Sequence, residues 1–310
     1  MRIVFFGSPA SALPSLARIL RDGHRVELVI TQPDRPSGRG KTLTACPVKR
    51  FALERGLPVH QPEKIRKDPP SLELLQGIQP DINVVVAFGQ IMPASVIYLP
   101  RLHSVNVHFS LLPKFRGASP VAWALLQGET KTGITIFELN EKMDEGDILT
   151  TGEVEIRPAE TAGSLENRLA DAGADLLSET LAQRESLPLL PQDHSAATYA
   201  PKLKKEDGRV DWSQPAAIID RRVRAFTPRP SAFAFLRGLR LQIIQGRPLP
   251  DEAKTDRPGK ILSVGKDGLQ VICGQAGVYL IERLKPENKS EMSASDFSRG
   301  TKIELDAFFE

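Results

Sequence analysis

Residues 1–31 read MRIVFFGSPASALPSLARILRDGHRVELVIT, and the architecture is decided here. Arg2 to Gly7 is a short apolar run of strand length that stops at a glycine. One basic residue ahead of it reads as a buried first strand rather than as a signal peptide. Leu13, Leu16, Ala17 and Leu20 then fall on one face of a helix, which Gly23 ends, and Val26 to Thr31 forms a second strand. Strand, helix, strand is the unit of a doubly wound, mainly parallel sheet.

The same rhythm continues outward. Buried runs recur at Ile82 to Phe88, Val105 to His108 and Ile134 to Leu139. A helix between the last two is entered through Ser119 as N-cap and Pro120 at its first position. Ser164 to Arg184 carries Leu165, Leu169, Ala172, Leu176 and Leu177 at helical spacing and closes the α/β half. Beyond it lies LPLLPQDHSAATYAPKL, without sustained periodicity, which reads as a linker. Short strand-like pieces then alternate with tight turns such as GKDG, the pattern of a small antiparallel β-barrel. With 310 residues, about twice a usual domain length, the expected division is 1–187, a linker at 188–204, and 205–310.

Composition narrows the function less than the fold. No apolar run approaches the ~20 residues that a bilayer requires, so no membrane span is expected. Cys46 and Cys273 sit in different halves without CxxC spacing, which suggests neither a disulfide nor a cysteine-based metal site, and a reducing cytoplasm is the expected compartment. The net charge is only +3, but Lys202 to Arg257 holds thirteen basic residues against seven acidic ones. Asp34 to Arg50 holds five basic residues against Asp34 alone. Two basic regions on a balanced chain fit a polyanionic partner, although two solvated faces would look the same.

The chemistry is concentrated at SVNVH, residues 104–108. Side chains alternate along a strand, so Asn106 and His108 share one face while the valines take the other. A buried parallel strand should be apolar on both faces, and two polar groups near its carboxyl end break that rule where open sheets bind ligands. The loop MDEGD at 143–147 follows another strand, and Asp144 there is the third candidate, placed to orient an imidazole. No serine or cysteine stands in a GxSxG elbow. On residues alone this is an acyl-transfer-like site.

NVHFSLLPKFRGASP at 106–120 and GITIFELNEKMDEGDIL at 133–149 resemble the folate-dependent formyltransferase family. FFGSP at the start, TQPDRPSGRGK at 31–41, AFGQIMP at 87–93 and YAPKLKKEDGRVDWSQPA in the second half are similar to its methionyl-tRNA branch. The resemblance implies a Rossmann-like formyltransferase fold followed by an OB-like barrel. It implies 10-formyltetrahydrofolate as donor and initiator methionyl-tRNA as partner and acceptor, with no metal, in a monomer. It gives catalysis to Asn106, His108 and Asp144. Folate contact falls to Ser110, Leu111, Leu112 and Pro113, joined by Phe88, Gln90 and Ile91. RNA contact falls to Arg39 and Lys41 in the basic loop and to Lys202 and Lys204, with Lys205, Arg221, Arg222 and Arg224 as further basic candidates. Ala10, Ser11, Thr42, Ala45, Cys46, Arg229 and Ser231 depart from the family pattern; at Thr42, Ala45 and Cys46 this touches the strength of RNA contact, while the catalytic strings show no departure. Two alternatives stay open: a folate formyltransferase acting on a small amine, and an RNA-binding protein on a decayed enzyme scaffold. GSPASA after the first strand is not GxGxxG, which argues against a dinucleotide oxidoreductase.

Overall fold

The computed structural model describes residues 1–37, 42–252, 257–301, 303 and 307–310. The chain runs β1 (Arg2–Gly7), α1 (Leu13–Arg21), β2 (Arg25–Ile30), β3 (Arg35–Ser37), β4 (Thr42–Thr44), α2 (Pro47–Leu53), β5 (Val59–His60), α3 (Pro69–Ile78), β6 (Ile82–Val86), α4 (Ala94–Ile97) and β7 (Ser104–His108). It continues through α5 (Pro120–Gln127), β8 (Lys131–Glu138), β9 (Ile148–Glu155), α6 (Ala162–Ala182) and α7 (Ala216–Phe226). Strands β10 (Ala232–Leu236), β11 (Leu239–Glu252), β12 (Ile261–Gly265), β13 (Gly268–Ile272) and β14 (Gly277–Pro286) follow. The chain divides into two compact units: Met1–Pro120, Lys131–Glu155 and Glu166–Pro201 in the first, and Val121–Thr130, Ile156–Leu165 and Lys202–Glu310 in the second.

The first unit is built on one sheet in the order β5-β2-β1-β6-β7-β8-β9. Strands β5 to β7 are parallel, while β8 and β9 run antiparallel at one side. The strand order reverses between β1 and β6, which makes the carboxyl edge of β1, β6 and β7 the place where such sheets take ligands. Every residue of β6 is buried, as a central parallel strand covered on both faces requires. On one face Val4, Phe6, Leu28, Ile30, Val85 and Phe88 form a core, in which the Phe6 and Phe88 rings meet edge to face at 5.4 Å.

Of the segment 188–204 expected as a linker, residues 188–201 lie within the first unit. Its backbone bonds to that unit's loops: Thr198 N–H donates to Pro113 O, Arg116 N–H to Thr198 O at 2.9 Å, Ala200 N–H to Arg116 O at 2.7 Å, and Leu190 exchanges bonds with Ile148. A segment can be hydrogen-bonded throughout without any periodicity of side chains, so its pattern was silent on this.

The second unit carries an antiparallel sheet in the order β10-β11-β14-β13-β12. Residues 307–310 lie between its two outer strands. Ile261 N–H donates to Ala307 O at 2.9 Å on one side, and on the other Phe235 and Glu310 exchange N–H···O bonds at 2.8 and 3.1 Å. Bridges Lys260 to Phe308 and Leu236 to Phe309 complete the seam, so the sheet closes into a barrel and both edges disappear. Inside it Cys273 is fully buried, and burial pushes its thiol up from 9.0 to about 12. A raised acid retains its proton in the folded state, so this group favours folding below pH 9 and loses that contribution as pH rises toward 12. In native protein at pH 8 we expect Cys46, which is half-buried, to react with a thiol reagent and Cys273 to react only on unfolding. Stoichiometric labelling of both thiols in folded protein would contradict this.

Candidate active site

Strand β7 delivers Asn106 and His108 to one face, as alternation demands, at the carboxyl edge described above. His108 is 6% exposed, and its ring lies edge-on to Phe137 of β8 with centroids 6.3 Å apart. Its Nε2 is 3.0 Å from Phe115 O. A carbonyl only accepts, so the hydrogen of the neutral ring is on Nε2 and the lone pair is on Nδ1. Asp144 Oδ2 stands 3.8 Å from that Nδ1. This is beyond hydrogen-bond range for the neutral ring but the right place for the counter-ion of an imidazolium. The side chain of Asn106 is half-buried and makes no hydrogen bond among the described residues, which leaves its amide available to a ligand.

Asp144 arrives by a different route from the one its sequence position suggests. Strand β8 is antiparallel to β7, with Val105 opposite Glu138, so its carboxyl end emerges beside Ser104 rather than beside His108. Leu139 N–H still bonds Ser104 O at 2.8 Å, after which the loop folds back along the face. Asp144 holds a left-handed φ of 53°, and its Oδ2 accepts from Gly117 N–H at 2.7 Å. Thus the imidazole is held by Phe115 O and the carboxylate by Gly117 N–H, both in the loop after β7. Neither backbone group is visible to reasoning from side-chain types, nor are Arg116 and Gln192, which flank them.

The SLLP loop is tied down by β8. Thr135 Oγ1 donates to Ser110 O at 2.7 Å and accepts from Leu112 N–H at 3.1 Å. Ser110 is buried and spends its hydroxyl on Lys114 O at 2.7 Å, while Leu112 is in the core. Leu111 is half-buried and packs over Gly133, whose missing Cβ would lie 2.5 Å from Leu111 Cδ2; Pro113 is also half-buried. At the neighbouring carboxyl end, after β6, Phe88 is 2% exposed and belongs to the core, so what it can offer a ligand is backbone. Gln90 accepts from Ile65 N–H at 2.8 Å and donates to Pro62 O at 2.9 Å, and Ile91 is 64% exposed. The sheet therefore brings 106–113 and 88–91 to one edge, with Leu111, Pro113 and Ile91 offering apolar surface and Ser110, Leu112 and Gln90 serving the loops themselves.

Of the basic candidates, Arg39 and Lys41 lie outside the described residues. Lys202, Lys204 and Lys205 are exposed at the start of the second unit. Arg224 pairs with Asp220 at 2.7 Å, one helical turn away, and Arg222 donates to Asp207 O. Arg221 packs against Gly128, where a Cβ would meet its guanidinium. These three arginines are engaged within the unit, which leaves the lysines as the accessible cations of the set. No group of three or more His, Cys, Asp or Glu disposed to hold a metal occurs among the described residues, and no helix there is long and apolar enough to cross a membrane.

The fit to a formyl-folate can be tested on these residues. An unengaged carboxamide, an imidazole lone pair and a buried-edge carboxylate converge at a sheet edge with an apolar loop beside them, which suits a carbonyl donor carrying a flat heterocycle. Comparison with known proteins agrees. Residues 1–181 match the Formyl transferase family, and residues 202–302 match Formyl transferase, C-terminal domain. The chain is 45% identical over 303 residues to a methionyl-tRNA formyltransferase of Syntrophus aciditrophicus, covering 97% of this chain and 96% of that one. It is 46% identical to a protein of that name from Solibacter usitatus, covering 98% and 96%. Among solved structures, HypX from Aquifex aeolicus is similar at a TM-score of 0.68 and 19% identity, covering 98% of this chain and 49% of that one. The sugar 3N-formyl transferase WlaRD is similar at 0.68 and 17%, covering 94% and 99%. The two structural likenesses speak to fold, whereas the full-length identities decide membership: the chain belongs to the methionyl-tRNA formyltransferase family.

Proposed function

We propose that the protein transfers the formyl group of 10-formyltetrahydrofolate to the free α-amino group of initiator methionyl-tRNA, giving N-formylmethionyl-tRNA. It does so as a cytoplasmic monomer, with catalysis in the unit that ends at Pro201 and RNA docking from Lys202 onward. The observation that carries the reading is the pairing of an unengaged Asn106 amide with a His108 Nδ1 lone pair facing Asp144 at 3.8 Å. The relatives' names supply the acceptor.

The residues divide the work as follows. An α-amino group titrates near ~7.7–8.0, so much of it is already neutral at physiological pH and needs only modest help to attack the formyl carbon. As the new N–C bond forms, His108 Nδ1 takes the amine's proton, and Asp144 balances the imidazolium. The Asn106 amide donates to the negative charge that grows on the formyl oxygen. His108 then returns the proton to the departing folate nitrogen as its C–N bond breaks, so every proton is accounted for. Leu111 and Pro113 form the apolar wall for the donor, while Lys202 and Lys204 supply phosphate contacts.

The test mixes purified protein with 10-formyltetrahydrofolate and charged initiator tRNA and follows label from the donor into methionine. Transfer only to a small amine would overturn the acceptor assignment. Within the same assay Asn106→Ala should lower kcat by about 10²–10³-fold while donor affinity stays nearly constant. A loss confined to KM would remove Asn106 from this role.

A further inference from the structure

Gln192 has no part in the proton transfers above, yet its carboxamide joins both halves of the site. Its Nε2 donates to Asp144 O at 2.9 Å and to Gly146 O at 2.7 Å. Its Oε1 accepts from Nε of Arg116 at 3.1 Å and from Nη2 at 2.7 Å. With the residue 5% exposed, both N–H donors and both acceptor positions of the amide are used away from water. Arg116 precedes Gly117, whose N–H holds the Asp144 carboxylate. One carboxamide therefore braces the backbone that carries Asp144 and the backbone that receives its side chain.

The bracing has something to hold in place. Asp144 sits at φ 53°, a conformation that persists in a non-glycine residue when its surroundings over-determine it. Arg116 is 1% exposed, and a guanidinium so buried requires acceptors around it. It finds Gln192, His194 Nδ1 at 3.1 Å and Glu145 Oε1 at 3.6 Å. We infer that Gln192 is a positioning residue: it fixes the Asp144 carboxylate against His108 Nδ1 and thereby sets how well the site holds an imidazolium.

This rests on the role given to His108 under the proposed function, so one readout is independent of turnover. Asp144 is the charged group facing Nδ1; Phe115 O and the Phe137 ring occupy the other sides. Arg116 and Glu145 lie one layer behind, with Lys142 and His194 against Glu145. Gln192→Met leaves each of these residues in place and keeps the volume of the side chain; it removes the two bonds to the Asp144 loop and the acceptor of Arg116, which retains His194 and Glu145. The His108 ring is titrated by NMR in wild type, Gln192→Met and Asp144→Asn without substrates, and kcat and KM are measured for all three.

The expected result is that the His108 midpoint moves in Gln192→Met in the same direction as in Asp144→Asn. The kcat of Gln192→Met should drop about 10–100-fold with KM for the donor within about twofold, as displacement of a charge-stabilising group predicts. Should that variant not fold, Gln192→Glu retains an acceptor for Arg116 while losing both N–H donors to the Asp144 loop; because its added charge also acts on the ring, its readout is the split between kcat and KM. A midpoint that stays at the wild-type value in the Gln192 variant, or in both variants, overturns the inference, as does an unchanged kcat. If wild type transfers no formyl group, the proposed function falls, and the titration alone still decides the role of Gln192.

Discussion

His108→Ala is expected to lower kcat for formyl transfer by about 10³-fold, within the range general acid–base groups supply. The size follows from how the ring is held. Nε2 is committed to Phe115 O, so Nδ1 alone carries the lone pair, and it points to the side where Asp144 waits. Asp144 is a poor substitute as base, since a carboxylate is ordinarily a much weaker base than an imidazole. Removing the ring also strands the Phe115 carbonyl in a buried place, which costs about 1–3 kcal/mol of stability. Donor binding should survive, because Leu111 and Pro113 are untouched. Rapid-quench turnover at saturating substrates, beside calorimetric titration with the folate donor, separates these effects. Activity within about tenfold of wild type would remove His108 from the mechanism.

Gly146→Ala should damage both stability and turnover. An added Cβ would lie 1.7 Å from Glu138 O and 2.9 Å from Glu138 C, which are backbone atoms of β8 and cannot swing aside. Gly146 O also accepts one of the Gln192 bonds, so any shift of the turn pulls on the loop that carries Asp144. Overpacking against backbone costs about 1–3 kcal/mol or more. For a chain of this size that is a fall in melting temperature of about 2 °C or more. Misplacing the carboxylate by an ångström should lower kcat about 10²-fold with little change in KM. A melting temperature and kcat both equal to wild type would mean that the loop does not pack against β8 as described.

The polar half of the site was legible because β7 breaks a strong rule. Toward the carboxyl end of SVNVH two polar side chains, Asn106 and His108, fall on one face of a strand that should be apolar there, and periodicity exposes that at once. Asp144 was legible by residue type but not by route. Sequence does not state that β8 turns antiparallel, so the return of the loop over the sheet face could not be read from it. Phe88 shows the same limit from the other side: the motif marks the right sheet edge, yet only packing tells that its ring faces the core. The Asp220 and Arg224 spacing did carry an ion pair at one helical turn, which weakens the case for Arg224 as an RNA contact. Gln192 had no signal at all, because a lone amide in an aperiodic stretch looks like any solvated side chain.

Residues 307–310 have a consequence for how the second unit is made. The seam they form joins strands whose sequence begins near residue 232, so its loop closure spans most of the unit and is entropically late. During synthesis β10 and β12 keep bare edges until residues 307–310 have emerged to bond them. During that interval another nascent chain can add itself where the seam belongs. Barrel completion thus waits on this seam, and aggregation during expression should respond to changes at Phe308 and Phe309 more than to changes of equal size elsewhere in the barrel.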